Sequence, residues 1–144
     1  MCIRDRKYFN QLNVDWNAEP NDPNPLIEID SSDLWLSFSA NAWAYETFKE
    51  GDIIRLRFYS CKRYRLGPEN DEGWHDGLCR FSNLAPRWGE FYEVLGNSLF
   101  KKSPNDWIDL PQGYGSKHYI FYLKDNTFEC QADKFELFLP ETNS

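Results

Sequence analysis

A chain of 144 residues is long enough for one domain with its own hydrophobic core and short for two. Aromatic residues make up 17% of it and charged residues 27%, and no run approaches the ~20 apolar residues that span a bilayer. The net charge of −7 repels phosphate backbones, which points away from nucleic acid and membrane surfaces and toward basic partners.

The first six residues, MCIRDR, read as translated sequencing-adapter sequence, and residues 1–9 as a tail. A single domain is expected over 10–140, followed by a short tail at 141–144. No apolar signal segment follows the first residues, so a cytoplasmic location is expected. The cysteines, Cys2, Cys61, Cys79 and Cys130, lie far apart with no CxxC pair. In a reducing compartment they are expected as free thiols that pack as small hydrophobes.

Period-2 alternation dominates the chain and helical periodicity is nearly absent. A first strand is expected over 10–16, ending at Trp16, before a loop in which Pro20, Pro23 and Pro25 forbid regular ladders. Ile27 and Ile29, then Leu34, Leu36 and Phe38, flank Ser31-Ser32 as a hairpin, with Trp35 on the opposite face from the leucines. Residues 41–49 are the one place for a short helical segment, closed by Gly51 as a C-cap. Ile54, Leu56 and Phe58 alternate with Arg55 and Arg57 as a half-buried strand, and Cys61–Leu66 continues or bulges from it.

Beyond the loop at 67–77, strands are expected at 78–82 and 88–95, separated by a turn at Asn83–Pro86. Residues 96–115 are loosely organised around Trp107, Ile108 and Leu110. His118–Leu123 and Thr127–Ala132 form a hairpin about Asp125-Asn126, and Phe135, Leu137 and Leu139 make the closing strand. Eight to ten short strands with turns between them give a mainly β, single-domain antiparallel β-sandwich or barrel.

Chemical motifs are sparse. The chain holds two histidines. His118, in HYIFYL, reads as a strand residue satisfied by one hydrogen bond and sharing a face with Ile120 and Tyr122. His75, with Asp76 and Cys79, is the only candidate catalytic set, and no motif surrounds it, so the expectation is no enzyme. No ligand spacing calls for a metal and no glycine-rich loop for a nucleotide, so no cofactor is expected. Arg55, Arg57, Lys62, Arg63 and Arg65, interleaved with aromatics, resemble a single-strand nucleic-acid platform, but cross-strand charge pairing is the simpler account.

The richest stretch is Tyr64–Val94, which mixes Trp74, Trp88, Phe81, Phe91 and Tyr92 with Glu69, Asp71, Glu72, Asp76, Glu90 and Glu93. Indoles beside carboxylates make a surface suited to gripping a basic partner, since Trp is enriched where one face is apolar and the other wet. Asp71, Glu72, Trp74, Asp76, Trp88 and Glu90 are the expected partner-binding residues.

The segments LNVDWNAEPNDPNP, YRLGPENDEGWHDGLCRFS, WGEFYEV and HYIFYLKDNTFECQA resemble a group of small acidic bacterial proteins across roughly residues 10–138. In its β-rich, acidic, single-domain character the chain is similar to immunity proteins of bacterial polymorphic toxin systems. That resemblance implies an inhibitor that neutralises a basic toxin domain by direct association. Two other readings stand beside it: a small-molecule or glycan-binding β-barrel module, and an enzyme using His75, Asp76 and Cys79.

Overall fold

The computed structural model describes residues 9–19, 23–67, 90–94, 107–123 and 126–140. They form two antiparallel sheets packed face to face, a sandwich rather than a closed barrel. In chain order the strands are β1 Phe9–Gln11, β2 Leu26–Asp30, β3 Asp33–Ser39, β4 Ile53–Tyr59, β5 Arg63–Gly67, β6 Phe91–Val94, β7 Ile108–Asp109, β8 Lys117–Tyr122, β9 Thr127–Ala132 and β10 Lys134–Phe138. The larger sheet has the order β1-β6-β8-β9-β5-β7 and the smaller β10-β4-β3-β2. No helix among the described residues is long and apolar enough to cross a membrane.

Alternation puts the core between the sheets. Leu34, Leu36 and Phe38 of β3 and Ile54, Leu56 and Phe58 of β4 face Phe91, Tyr119, Phe121 and Phe128 of the larger sheet, all buried. Rings do most of the filling. Phe58 lies 5.4 Å from both Tyr119 and Phe128, and Trp16 lies 6.0 Å from Phe38 and 6.1 Å from Phe121. Trp35 falls on the outer face of the smaller sheet, as its phase requires, with the Arg55 guanidinium 4.3 Å above its ring.

The sheets are joined by one two-stranded ribbon that bends from one into the other. β4 pairs with β10 in the smaller sheet, and their continuations β5 and β9 pair in the larger. Between the pairs Tyr59↔Lys134 and Arg63↔Gln131, the first strand spends residues 60–62 and its partner only 132–133. The extra residue makes a bulge, and Ser60 sits there at φ 51°, which turns the chain. Lys62 N–H to Gln131 C=O (2.7 Å) and Asp133 N–H to Tyr59 C=O (2.8 Å) close the corner. Residues 110–115 lie against it, with the N–H groups of Tyr114 and Gly115 on the Ser60 hydroxyl and carbonyl, each at 2.9 Å. Glycine is required here. A Cβ would stand 1.8 Å from the Cys61 carbonyl oxygen at Gly113 and 2.0 Å from the Asp133 nitrogen at Gly115.

The hairpin about Ser31-Ser32, the alternating β4, the β8–β9 pair and the closing strand match the sequence reading. Three expectations change. The first strand is three residues long, because Asn13 and Asp15 (φ 61°) turn the chain away from the ladder. Leu123 N–H bonds Asn126 C=O at 2.9 Å, so Asn126 continues the β9 ladder instead of occupying the turn. The helical segment at 41–49 is a run of turns. There the Asn41 side chain takes the N–H groups of Trp43 (3.1 Å) and Ala44 (3.2 Å), which competes with helix. Gly51 (φ 93°) occupies the third position of a turn closed by Asp52 N–H to Lys49 C=O (3.0 Å), and caps no helix.

Candidate functional site

Of the six expected partner-binding residues, Glu90 is described, while Asp71, Glu72, Trp74, Asp76 and Trp88 lie outside the described residues, as do His75 and Cys79. Glu90 immediately precedes β6 and is half-buried. Its carboxylate is caged by carboxamides: Oε2 accepts from Gln11 Nε2 (3.1 Å) and Asn13 Nδ2 (2.9 Å), and Oε1 accepts from Asn17 Nδ2 (2.8 Å). Hydrogen bonds to an ionised acceptor are the strong ones, so this acid acts as an anchor for the loop at 12–19.

The anchorage continues outward. Asn17 Oδ1 accepts from Asn41 Nδ2 (2.9 Å), and Asn41 Oδ1 holds the turn that carries Trp43. Trp16, buried in the core, pins the same loop from below, and an Ala18↔Ala40 bridge ties the two segments together. Sheet, carboxylate, amide, amide and turn thus form one continuous relay. At its outer end Trp43 is 80% exposed, and Val14, on the neighbouring loop, is 70% exposed. Asp15, Glu46 and Glu50 are exposed on these two segments, and Lys49 is their only described exposed cation. Burial, with the charges of Glu90 and Asp15 adding to it, raises the Tyr45 phenol above its ordinary range, which places that ring among the same acids.

Trp43 is thus an indole in water on a turn tied to the sheet through side-chain amides, with Asp15, Glu46 and Glu50 exposed on the same two segments, and exposed Trp is a residue type enriched at docking surfaces. The sequence reading passed over Trp43. The available signal was Asn41, two residues before the tryptophan: the asparagine side chain takes the N–H groups of Trp43 and Ala44 in an Asx-type turn.

The larger sheet holds a second polar cluster. On the face away from the core, Glu129 Oε2 accepts from Arg65 Nη1 (2.9 Å) and Oε1 meets His118 Nε2 (2.7 Å). All three side chains are buried. Trp107 packs 6.2 Å from the His118 ring and under Arg63 (4.4 Å), whose Nε donates to Gln131 Oε1 (2.9 Å). His118 shares its face with Ile120 and Tyr122 as its phase required, but Glu129 was missed. The basic run also divides here. Arg57 pairs with Asp33 (2.6 Å) on the smaller sheet, whereas Arg63 and Arg65 turn onto the larger one beyond the bulge, so no single cationic stripe forms. Among the described residues no group of His, Cys, Asp and Glu could hold a metal ion.

Compared with known proteins, the chain matches no family model, no curated protein and no solved structure.

Proposed function

We propose that this chain is an immunity-type inhibitor, a protein that neutralises a basic toxin domain by binding it. The observation that carries the reading is Trp43, exposed on a turn that the Glu90–Asn17–Asn41 relay holds rigid. A preorganised aromatic anchor gives up little side-chain entropy on docking. The net −7 steers a basic partner and raises its association rate, and Asp15, Glu46 and Glu50 place part of that charge beside the anchor. The β-rich, acidic, single-domain character that the chain shares with immunity proteins points the same way.

The test is capture and rescue. Immobilised wild-type protein and a Trp43→Ala/Asp15→Lys variant are exposed to native-host extract, and the recovered partner is expressed with and without each form. A basic partner whose toxicity wild type relieves, with affinity lowered at least ~30-fold in the variant, is the expected result. Equal recovery by both forms, or a partner whose effect wild type leaves unchanged, rejects the reading.

A further inference from the structure

Cys61 and Cys130 are both free, both fully buried, and both part of the core cluster. They are 69 positions apart in the chain, yet the bent ribbon brings them together. Cys130 lies on β9 opposite Tyr64 of β5, and Lys62 N–H on Gln131 C=O draws the residue next to Cys61 against the same strand. The Cys61 Sγ donates to the Arg63 carbonyl (3.3 Å), next to the Tyr64 that pairs with Cys130. Burial first, and then the Cys61 thiol, push the Cys130 thiol well above its ordinary range. A protonated thiol is a poor nucleophile, so Cys130 is inert while the sandwich is closed, and burial shields Cys61 from any reagent.

We infer that Cys61 and Cys130 are a latent disulfide, a site of oxidative cross-linking that closes when the chain folds in the presence of a small-molecule disulfide. In the first exchange, one thiolate displaces one half of the small disulfide and becomes a mixed disulfide. In the second, the other cysteine's thiolate attacks the protein sulfur of that mixed disulfide, and the second half leaves as a thiol. One S–S bond breaks and one forms, and the two electrons and two protons of the dithiol pass to the reagent. The chemistry belongs to folding, before the core seals, and this sets it apart from a surface redox sensor. The new bond would staple the bulged corner to β9 and close a loop of nearly half the chain, where the constraint on the unfolded state is large. The consequence is one sequence with two stabilities, a reduced form for a reducing compartment and a cross-linked form for an oxidising one. This inference does not depend on any binding partner.

The test is refolding from urea in mixtures of oxidised and reduced glutathione, followed by acid quench, alkylation and peptide mapping. The expected product is a single linked pair of peptides bearing Cys61 and Cys130, with Cys2 and Cys79 alkylated. Its Tm should exceed that of the dithiothreitol-treated protein by about 5–15 °C. A Cys61→Ala/Cys130→Ala variant should show no oxidant-dependent change in Tm. Four alkylated cysteines after oxidative refolding, a dominant pair involving Cys2 or Cys79, or a linked form that melts no higher than the reduced one would each overturn the inference. The wild-type map decides the matter even where the double variant folds poorly.

Discussion

Arg65 meets Glu129 at 2.9 Å and Arg57 meets Asp33 at 2.6 Å, yet the first pair is 3% and 0% exposed and the second 30% and 19%. The two arginines stand eight positions apart on the same ribbon, one on each side of the bulge. The larger sheet buries both faces of β8 and β9, so every polar side chain there must find its partner inside the protein. The smaller sheet leaves its outer face wet, and its charges share their partners with water. The same chemistry is therefore structural on one side of the corner and nearly optional on the other.

That contrast breaks most visibly at Glu129. Glu129→Gln takes the negative charge from between Arg65 and His118 and should cost about 3–5 kcal/mol, measured by urea denaturation. The reverse test sharpens it: a double change to apolar residues, Arg65→Met with Glu129→Leu, should recover part of the loss. A Glu129→Gln protein as stable as wild type would mean that the buried cluster is incidental.

The alkaline limb is next in size. Burial, and after it the charge of Glu93, raise the Tyr119 phenol from its ordinary 10.0, and Cys130 is raised from 9.0. Both groups hold their protons more tightly folded than unfolded. Their contribution is complete below the unfolded values and is lost as the pH rises past 9.0 and then 10.0. Tm should hold level up to about pH 9 and fall above it, and Tyr119→Phe should flatten the part of the fall beyond pH 10.

Asp33→Asn tests the exposed side. Asp33 also accepts the Ser60 N–H (3.0 Å) at the bulge, so it serves the corner as well as Arg57. The loss should be roughly a quarter of that at Glu129, and raising the salt concentration should narrow the gap to wild type. A salt-independent loss would assign the whole effect to the Ser60 contact.

How far the chain could be read follows the same division. Strands with one dry face and one wet face, β3 and β4 above all, announce themselves by alternation, and Ile54, Leu56 and Phe58 were legible with Arg55 and Arg57 opposite. β8 and β9 do not alternate in burial at all. KHYIFY and TFECQA are six residues each, and nothing local says that Glu129 is sealed against an arginine 64 positions earlier. A bulge after β4 was one of the two readings of Cys61–Leu66, but its place at Ser60 and the turn into the other sheet were hidden, because a bulge needs only one extra residue and no special sequence. The Trp43 turn is a third case. Its amphipathic spacing suggested helix, and one asparagine side chain decided otherwise.

The smallest stability effect belongs to the residue expected to matter most for binding. The Trp43 ring is 80% in water, so Trp43→Ala should change the folding free energy by less than about 0.5 kcal/mol. Asn17→Ala, by contrast, removes the link between Glu90 and Asn41 and should loosen the turn without touching the ring. If Trp43 works because it is held still, Asn17→Ala will weaken partner binding through a slower association or a faster release while Trp43 stays in place, and its own indole fluorescence anisotropy will fall. Were the ring merely sticky, Trp43→Ala would abolish binding and Asn17→Ala would leave it intact. The pair of substitutions thus separates a preorganised anchor from an exposed hydrophobe.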